Sequence, residues 1–346
     1  MSILRKILYP FSILYGEVTS ARNIFYNKGI LKSTNFDIPT IVVGNLSVGG
    51  TGKTPQIEYL VRLLQDTYKL AILSRGYKRT TKGFIIATNK ALVSDIGDEP
   101  MQYYTKFNKV IIAVDADRVN GITELTKLEE APDVILLDDA YQHRKVEAGL
   151  NILLTSYGNL YTDDKMLPSG NLREKIEGAN RAQIIIVTKC PDELSEQQQF
   201  EITKKLKVEL YQTVFFSTIK YSKDIISKEE KLPIGELSNF EIVLVTGIAN
   251  TKPLTIFLDK MNCTYHPIKF TDHHNFSEKD FLKINEVYSK IKKDKKLILT
   301  TEKDYVRSFT GKNNFYYLPI ETEFIDHKYD FNKLIKKYVE QSSRNS

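Results

Sequence analysis

Residues 40–66 read as a strand, a glycine-rich loop and a helix, and that succession restricts the chain to an α/β architecture. Thr40-Ile41-Val42-Val43 is a β-rich run. It leads through Gly44-Asn45-Leu46 into Ser47-Val48-Gly49-Gly50-Thr51-Gly52-Lys53-Thr54-Pro55, and Pro55 to Asp66 has helical spacing. A loop so placed turns its backbone N–H groups on an anion, and the helix N-terminus adds a favourable dipole. Ser47, Val48, Gly49, Gly50, Thr51, Gly52, Lys53 and Thr54 are therefore candidate nucleotide-phosphate contacts. Lys53 would reach β- and γ-phosphate oxygens, and the Thr54 hydroxyl would ligate Mg²⁺. Two positions depart from G-x-x-x-x-G-K-[ST]. Ser47 replaces the first Gly, which a small residue with negative φ tolerates. Pro55 falls in the first helical turn, where its missing N–H has no intrahelical acceptor to lose. The bland alternative is a glycine-rich turn holding a chance Gly-Lys-Thr.

Further apolar runs alternate with helical patterns. Strands are expected at Leu70–Leu73, Val110–Val114, Val134–Leu137, Ile152–Leu154, Ile184–Val187, Val214–Ile219, Ile242–Thr246, Tyr265–Phe270 and Leu297–Thr300. Many are apolar throughout, as in a parallel sheet with both faces covered. With 346 residues, two domains are expected. A boundary near residue 150 would give 1–150 as the nucleotide-binding core and 151–346 as a second α/β domain. Ser222 to Leu237, rich in Lys and Glu, reads as a surface connection. The tail Gln341 to Ser346 reads as frayed.

The run at 134 ends in Asp138-Asp139. A strand-end carboxylate holds Mg²⁺ or its water beside a phosphate loop. With the loop, this points to a nucleotide triphosphatase or kinase. The net charge of +6 fits anionic partners without arguing for nucleic acid, and no RNA-binding signature is present. Cys190 and Cys263 form no metal pair and no disulfide framework.

Polar clusters close several strands: Ser74-Arg75-Gly76-Tyr77, Gly97-Asp98-Glu99-Pro100, Asp139-Ala140-Tyr141-Gln142-His143-Arg144 and Asp272-His273-His274. Strand ends are where an α/β sheet builds its site. Phosphoryl transfer to a hydroxyl needs an acceptor-side base, which Asp98 or His273 would supply. Gly97-Asp98-Glu99-Pro100 also reads as a helix start with acids complementing the dipole. Asp272-His273-His274 also reads as a metal cluster.

In sequence order these blocks resemble the tetraacyldisaccharide 4′-kinase family of the lipid A pathway in Gram-negative bacteria. The resemblance is carried by Gly44 to Pro55, Ser74-Arg75-Gly76-Tyr77, Gly97-Asp98-Glu99-Pro100, Leu136-Leu137-Asp138-Asp139, Tyr141-Gln142-His143-Arg144, Leu167-Pro168 with Leu172-Arg173-Glu174, and Asp272-His273. Thr246-Gly247-Ile248-Ala249-Asn250 and Thr301-Glu302-Lys303-Asp304 extend it. It runs from the N-terminal helix to about residue 320. Ala140-Tyr141 stands where the family usually has Gly-Phe, and Ser169-Gly170-Asn171 varies a small-residue turn. The resemblance implies a P-loop NTPase-like fold of two α/β/α sandwich domains with mostly parallel sheets, the second closing a cleft. It implies that ATP donates its γ-phosphoryl group to the 4′-hydroxyl of a tetraacylated glucosamine disaccharide 1-phosphate. Lys53 and Thr54 would hold phosphate and Mg²⁺. Asp138 and Asp139 would organise Mg²⁺ with Gln142 nearby. Asp98 would act as base, tuned by His273. Arg75, Arg118 and Arg173 are candidate substrate or phosphate contacts.

Ile3, Ile7, Phe11, Leu14, Val18, Ala21 and Phe25 recur at helical spacing, and the first 40 residues carry a net +3. Such a helix either packs on the protein's own core or lies in a membrane interface. No run is long enough to span a bilayer. A bilayer-resident acyl substrate favours the amphipathic interfacial reading. The expected partners are then the membrane-embedded lipid and the cytoplasmic face of the inner membrane, without an obligate protein partner. Two rivals are a nucleotide-driven switch and a soluble small-molecule kinase. Thr188-Lys189-Cys190-Pro191-Asp192 approaches a guanine motif, but its Asp is one residue late.

Overall fold

The computed structural model describes residue 5 and residues 7–343. Ile3 of the N-terminal pattern, and residues 344–346 of the tail, lie outside the described residues. The chain divides into two compact units. One comprises Met1–Ile96, Phe107–Ile219 and Thr322–Ser346, the other Gly97–Lys106 and Lys220–Glu321.

The first unit is built on β1 (Thr40–Asn45), whose six residues are all buried. Strands accumulate on both sides of it. On one side lie β5 (Val134–Asp138), β2 (Leu70–Ser74), β4 (Ile111–Val114) and the short β3 (Ile85–Ile86). On the other lie β6 (Leu150–Ser156), β7 (Ile184–Thr188), β8 (Thr213–Tyr221) and β15 (Ile320–Phe324). β1 pairs in parallel with β5 and β6, and parallel pairing continues through β2, β4, β7 and β8. The apolar runs explain this, because Ile41, Val42 and Val43 are all buried and both faces of the strand must be covered. The expected boundary near residue 150 is thereby corrected. β6, β7 and β8 extend the same sheet from β1, so no contact-poor linker exists there, and the division falls near residue 220.

The C-terminal helix Lys328–Ser343 belongs to the first unit. Phe331, fully buried, packs against Phe324 and Phe215 with ring centroids 4.4 and 5.2 Å apart. Burying an aromatic of this size stabilises by about 1.5–3 kcal/mol, enough to fix the return of the chain.

The second unit holds a six-stranded sheet in the order β10 (Lys231–Pro233), β9 (Asp224–Ile226), β14 (Phe315–Leu318), β13 (Lys296–Thr301), β11 (Glu241–Thr246), β12 (Thr264–Lys269). Its central pairs are parallel. Alternate residues of β11 enter different cores. Ile242 and Leu244 pack with Leu254 and Leu258, while Val243 and Val245 pack with Ile284 and Phe309. The segment from Ser222 is more than a connection: β9 and β10 pair antiparallel, with Ile225 and Leu237 each 1% exposed.

The N-terminal helix Tyr9–Asn27 turns its small and polar side inward. Ser12 and Gly16 are its buried residues. Ser12 Oγ accepts from Ser169 N at 2.9 Å, and Asn23 donates to Glu174 at 2.8 Å. Phe11, Leu14 and Val18 are each more than 60% exposed, and Ile24 and Phe25 are also exposed. No helix of the described residues is long and apolar enough to cross a membrane.

Candidate active site

The phosphate-loop geometry begins at Asn45, the last residue of β1. Its side-chain amide donates to Thr51 Oγ1 at 2.9 Å, and its Oδ1 accepts from Lys53 Nζ at 3.5 Å. Gly49 and Gly52 have φ of 115° and 88°, the left-handed region that favours glycine. Gly52 leads into the helix Lys53–Leu64, so Pro55 is in the first turn and breaks no helical bond. The loop is braced from outside. Val48 N donates to Asn171 O at 2.8 Å, Thr188 Oγ1 donates to Thr51 O at 2.7 Å, and Lys189 Nζ donates to Gly50 O. The Thr188-Lys189 pair therefore supports the loop, while Asp192 accepts from the Thr218 hydroxyl. A cavity of about 230 Å³ lined by Ser47, Gly49, Gly50, Thr51, Thr155 and Asn159 borders this side of the loop.

β5 brings its carboxylates beside the loop strand. Asp138 is in register with Val43, and Asp139 N donates to Val43 O at 3.0 Å. Asp138 is 2% exposed and accepts from Ser74 Oγ at 3.4 Å. Asp139 has φ 48° and turns to Lys53 at 3.5 Å and to Arg173 at 3.0 Å. Burial alone would raise the Asp139 pKa, but Lys53 and Arg173 overcome it and hold the carboxyl below its ordinary value. The carboxylate in turn aims the Lys53 ammonium, which in a flexible four-carbon side chain would otherwise wander.

Arg173 is thus committed to Asp139, and it also donates to Gln142 Oε1 at 3.3 Å. Gln142 Nε2 donates to Asn45 O at 2.9 Å and to Glu174 at 3.0 Å. Gln142 consequently ties the loop strand to Glu174, and its Oε1, the atom a metal would need, also accepts from Arg173. Arg118 is 2% exposed, and its guanidinium donates to the carbonyls of Asp115 at 2.7 Å and Asp138 at 3.2 Å. It braces the end of β5 and, being buried, offers little surface for a contact. Burial lowers its pKa to about 10, still charged at neutral pH. Of the three arginines, Arg75 is the exposed one, at the end of the β2 strand. His143, lowered to about 4 by burial and then by Arg118, is neutral and accepts from Arg118 N.

The donor set fits Mg²⁺. Thr54, Asp138 and Asp139 offer only oxygen, which a hard cation prefers. Among the described residues no three His, Cys, Asp or Glu side chains form a closed cage. That suits a metal taking most of its ligands from phosphate and water.

Asp98 and His273 belong to the second unit. Asp98 opens the helix Asp98–Lys106, with Glu99 also in its first turn, so the helix-start reading of this segment holds as well. His273 Nδ1 lies 3.3 Å from Asp98 Oδ2. His274 turns away to Asp280 at 3.0 Å and stacks on Phe270 at 4.7 Å, so the two histidines diverge and the metal-cluster alternative fails. Arg307 donates to Asp98 through Nε at 2.8 Å and Nη2 at 2.6 Å. Burial would raise Asp98, yet the Arg307 bonds and charge, then Lys303 and His273, hold its carboxyl below the ordinary value.

Sequence reasoning missed Arg307, the outward brace of Lys189, and Glu174 as a hub. Glu174 is 3% exposed and paired with Arg181 at 2.8 Å. The signal for Glu174 was its place after Leu172-Arg173; Arg307 carried none. The Tyr141 departure is accommodated, since its hydroxyl donates to Gly178 O at 2.8 Å.

The family model for tetraacyldisaccharide-1-P 4′-kinase matches residues 4–340. A tetraacyldisaccharide 4′-kinase of Flavobacterium johnsoniae is 53% identical over 344 residues, covering 99% of each chain. One from Flavobacterium psychrophilum is 48% identical over the whole of both chains. A crystal structure of LpxK from Aquifex aeolicus in complex with ATP superposes with a TM-score of 0.79 at 30% identity, covering 97% of this chain and 100% of that one. With a match across nearly its whole length, the chain belongs to the tetraacyldisaccharide-1-P 4′-kinase family.

Proposed function

We infer that the chain transfers the γ-phosphoryl group of ATP to the 4′-hydroxyl of tetraacyldisaccharide 1-phosphate, giving the 1,4′-bisphosphorylated lipid A precursor. The observation that carries this is the phosphate loop with Lys53 aimed by Asp139 at the β5 end, in a chain of this family. In our reading the loop amides from Ser47 to Thr54 hold the ATP phosphates, and Lys53 neutralises charge on the transferred group. Thr54, Asp138 and Asp139 would hold Mg²⁺, which when bound would neutralise charge on the phosphate oxygens. Arg173 and Gln142 keep Asp139 and the loop strand in place, and Arg75 offers an exposed cation to a phosphate. On the acceptor side Asp98 accepts the proton of the 4′-hydroxyl as its oxygen bonds to the γ-phosphorus and the bond to the ADP oxygen breaks. His273 steadies the carboxylate. The first test is incubation with γ-labelled ATP, Mg²⁺ and detergent-dispersed tetraacyldisaccharide 1-phosphate. Label is expected in the lipid; ATP hydrolysis without labelled lipid would favour the nucleotide-driven switch.

We also propose that the protein is peripheral on the cytoplasmic face of the inner membrane, held there by the helix Tyr9–Asn27. The support is its outward apolar side, Phe11, Leu14, Val18 and Phe25, on a substrate class with four acyl chains. Phe11→Ser with Leu14→Ser and Val18→Ser is expected to lower flotation with anionic liposomes severalfold while labelled-lipid formation in detergent persists. Unchanged flotation of this triple variant, and of a chain lacking residues 1–28, would remove the proposal.

A further inference from the structure

The acceptor-side pair is surrounded by more cations than a base requires. Three contacts converge on one oxygen of Asp98. Arg307 donates twice to Oδ2, and His273 Nδ1 faces the same atom at 3.3 Å. Oδ1 has no protein partner among the described residues. Arg307 is not free to follow Asp98. Its side chain is 5% exposed, and Nη1 donates to His274 O at 3.3 Å and to Asp304 Oδ1 at 3.2 Å. Asp304 is fully buried and accepts from Gly247 N and Thr301 Oγ1, both at 2.8 Å. Asp304 and Arg307 thus belong to the backbone framework, and Asp98 is oriented against them.

The other cation acts on the imidazole. Lys303 Nζ lies 3.3 Å from His273 Nε2 and 3.3 Å from Glu99 Oε1. An ammonium has only donors and a carboxylate only acceptors. His273 must therefore accept at Nε2 and donate at Nδ1, which defines the neutral Nδ1–H tautomer. The flanking charges are paired elsewhere, Lys106 with Glu302 at 2.8 Å and His274 with Asp280 at 3.0 Å.

We infer that Arg307 and Lys303 are positioning residues: Arg307, braced by Asp304, occupies Oδ2 so that Oδ1 meets the acceptor hydroxyl, and Lys303 locks His273 in the tautomer that donates to Oδ2. This rests on the reading of Asp98 and His273 as the acceptor-side pair. The cations make Asp98 a weaker base, which a loose phosphoryl-transfer transition state tolerates, since little proton transfer is needed before the phosphorus is well on its way. Orientation of the hydroxyl matters more there than basicity.

The test combines kinetics with ¹⁵N spectra of the histidine rings in the full chain. In the unsubstituted protein the His273 ring is expected to show a protonated Nδ1 and an unprotonated Nε2. Lys303→Met is expected to mix the tautomers and lower kcat about tenfold, with Lys303→Arg recovering part of both. Arg307→Gln is expected to lower kcat about 10²-fold, the cost of misplacing a reacting group by about 1 Å, with the KM for ATP within about twofold. Should Arg307→Gln not fold, Arg307→Lys keeps the charge but cannot make two bonds to one oxygen, and the same direction is expected. Asp98→Asn separates the two levels. Full turnover in Asp98→Asn would sink the acceptor-side reading together with this one. An inactive Asp98→Asn beside fully active Lys303→Met and Arg307→Lys, with unchanged His273 signals, would overturn the positioning role alone.

Discussion

Lys53→Ala is expected to lower kcat/KM for lipid phosphorylation by about 10²–10³-fold, the range seen when one electrostatic contact to transition-state charge is removed. The reason is local. Lys53 is the first residue of its helix, held by Asn45 Oδ1 at 3.5 Å and Asp139 at 3.5 Å. Removing the ammonium leaves Asp139 paired with Arg173 alone, so the carboxylate stays bonded and the fold should survive. Thermal melting within a few degrees of the parent chain, alongside lost label transfer, is the expected pair of results. Turnover near that of the parent would show that the loop does not hold the transferred phosphate.

Asp98→Asn is expected to cost about 10²–10⁴-fold in kcat, the usual contribution of a positioned base. His273→Ala should be somewhat milder, because the histidine acts through the carboxylate. The double variant should fall little below Asp98→Asn, since residues acting as a unit are not additive. Fully multiplicative losses in this cycle would mean that the two work separately. The pH dependence follows from the lowered Asp98 carboxyl. The folded value lies below the ordinary carboxylate value of about 3.9, so the group is ionised throughout the neutral range. Its stabilising pairing is complete above the ordinary value and is lost as the pH falls through the folded one. A limb of kcat/KM between pH 5 and 8 would therefore belong to another group, and a limb there that vanished in Asp98→Asn would contradict the assignment.

Much of the architecture is legible in the sequence. All ten expected strands are present, because uninterrupted runs such as Ile41-Val42-Val43 and Ile184-Ile185-Ile186-Val187 are soluble only when both faces are covered. The strand, loop and helix of the phosphate-loop pattern were legible because they are contiguous in the sequence. The domain boundary was not legible. Whether β6 extends the first sheet or begins another is decided by pairing with β1, more than a hundred residues away.

The site divides the same way. Residue types suggested the chemistry we propose for Lys53, Asp138, Asp139, Asp98 and His273. Their partners did not announce themselves, because a side chain's state is set by whatever folds against it. Arg118 and Arg173 look alike in one dimension, yet one is buried against carbonyls and the other pairs with Asp139. Arg307 lies 209 residues from Asp98 and meets it at 2.6 Å. The N-terminal helix shows the contrast in one element. Its periodicity was plain from the order of its residues, but only packing could tell which side faces the protein. Ser12 and Gly16 permit close approach and hydrogen bonding, so the small polar side went inward and the apolar side was left outside. Local pattern thus specifies which elements form and what chemistry they carry, whereas long-range packing specifies which atoms of that chemistry are engaged and which remain to meet a ligand.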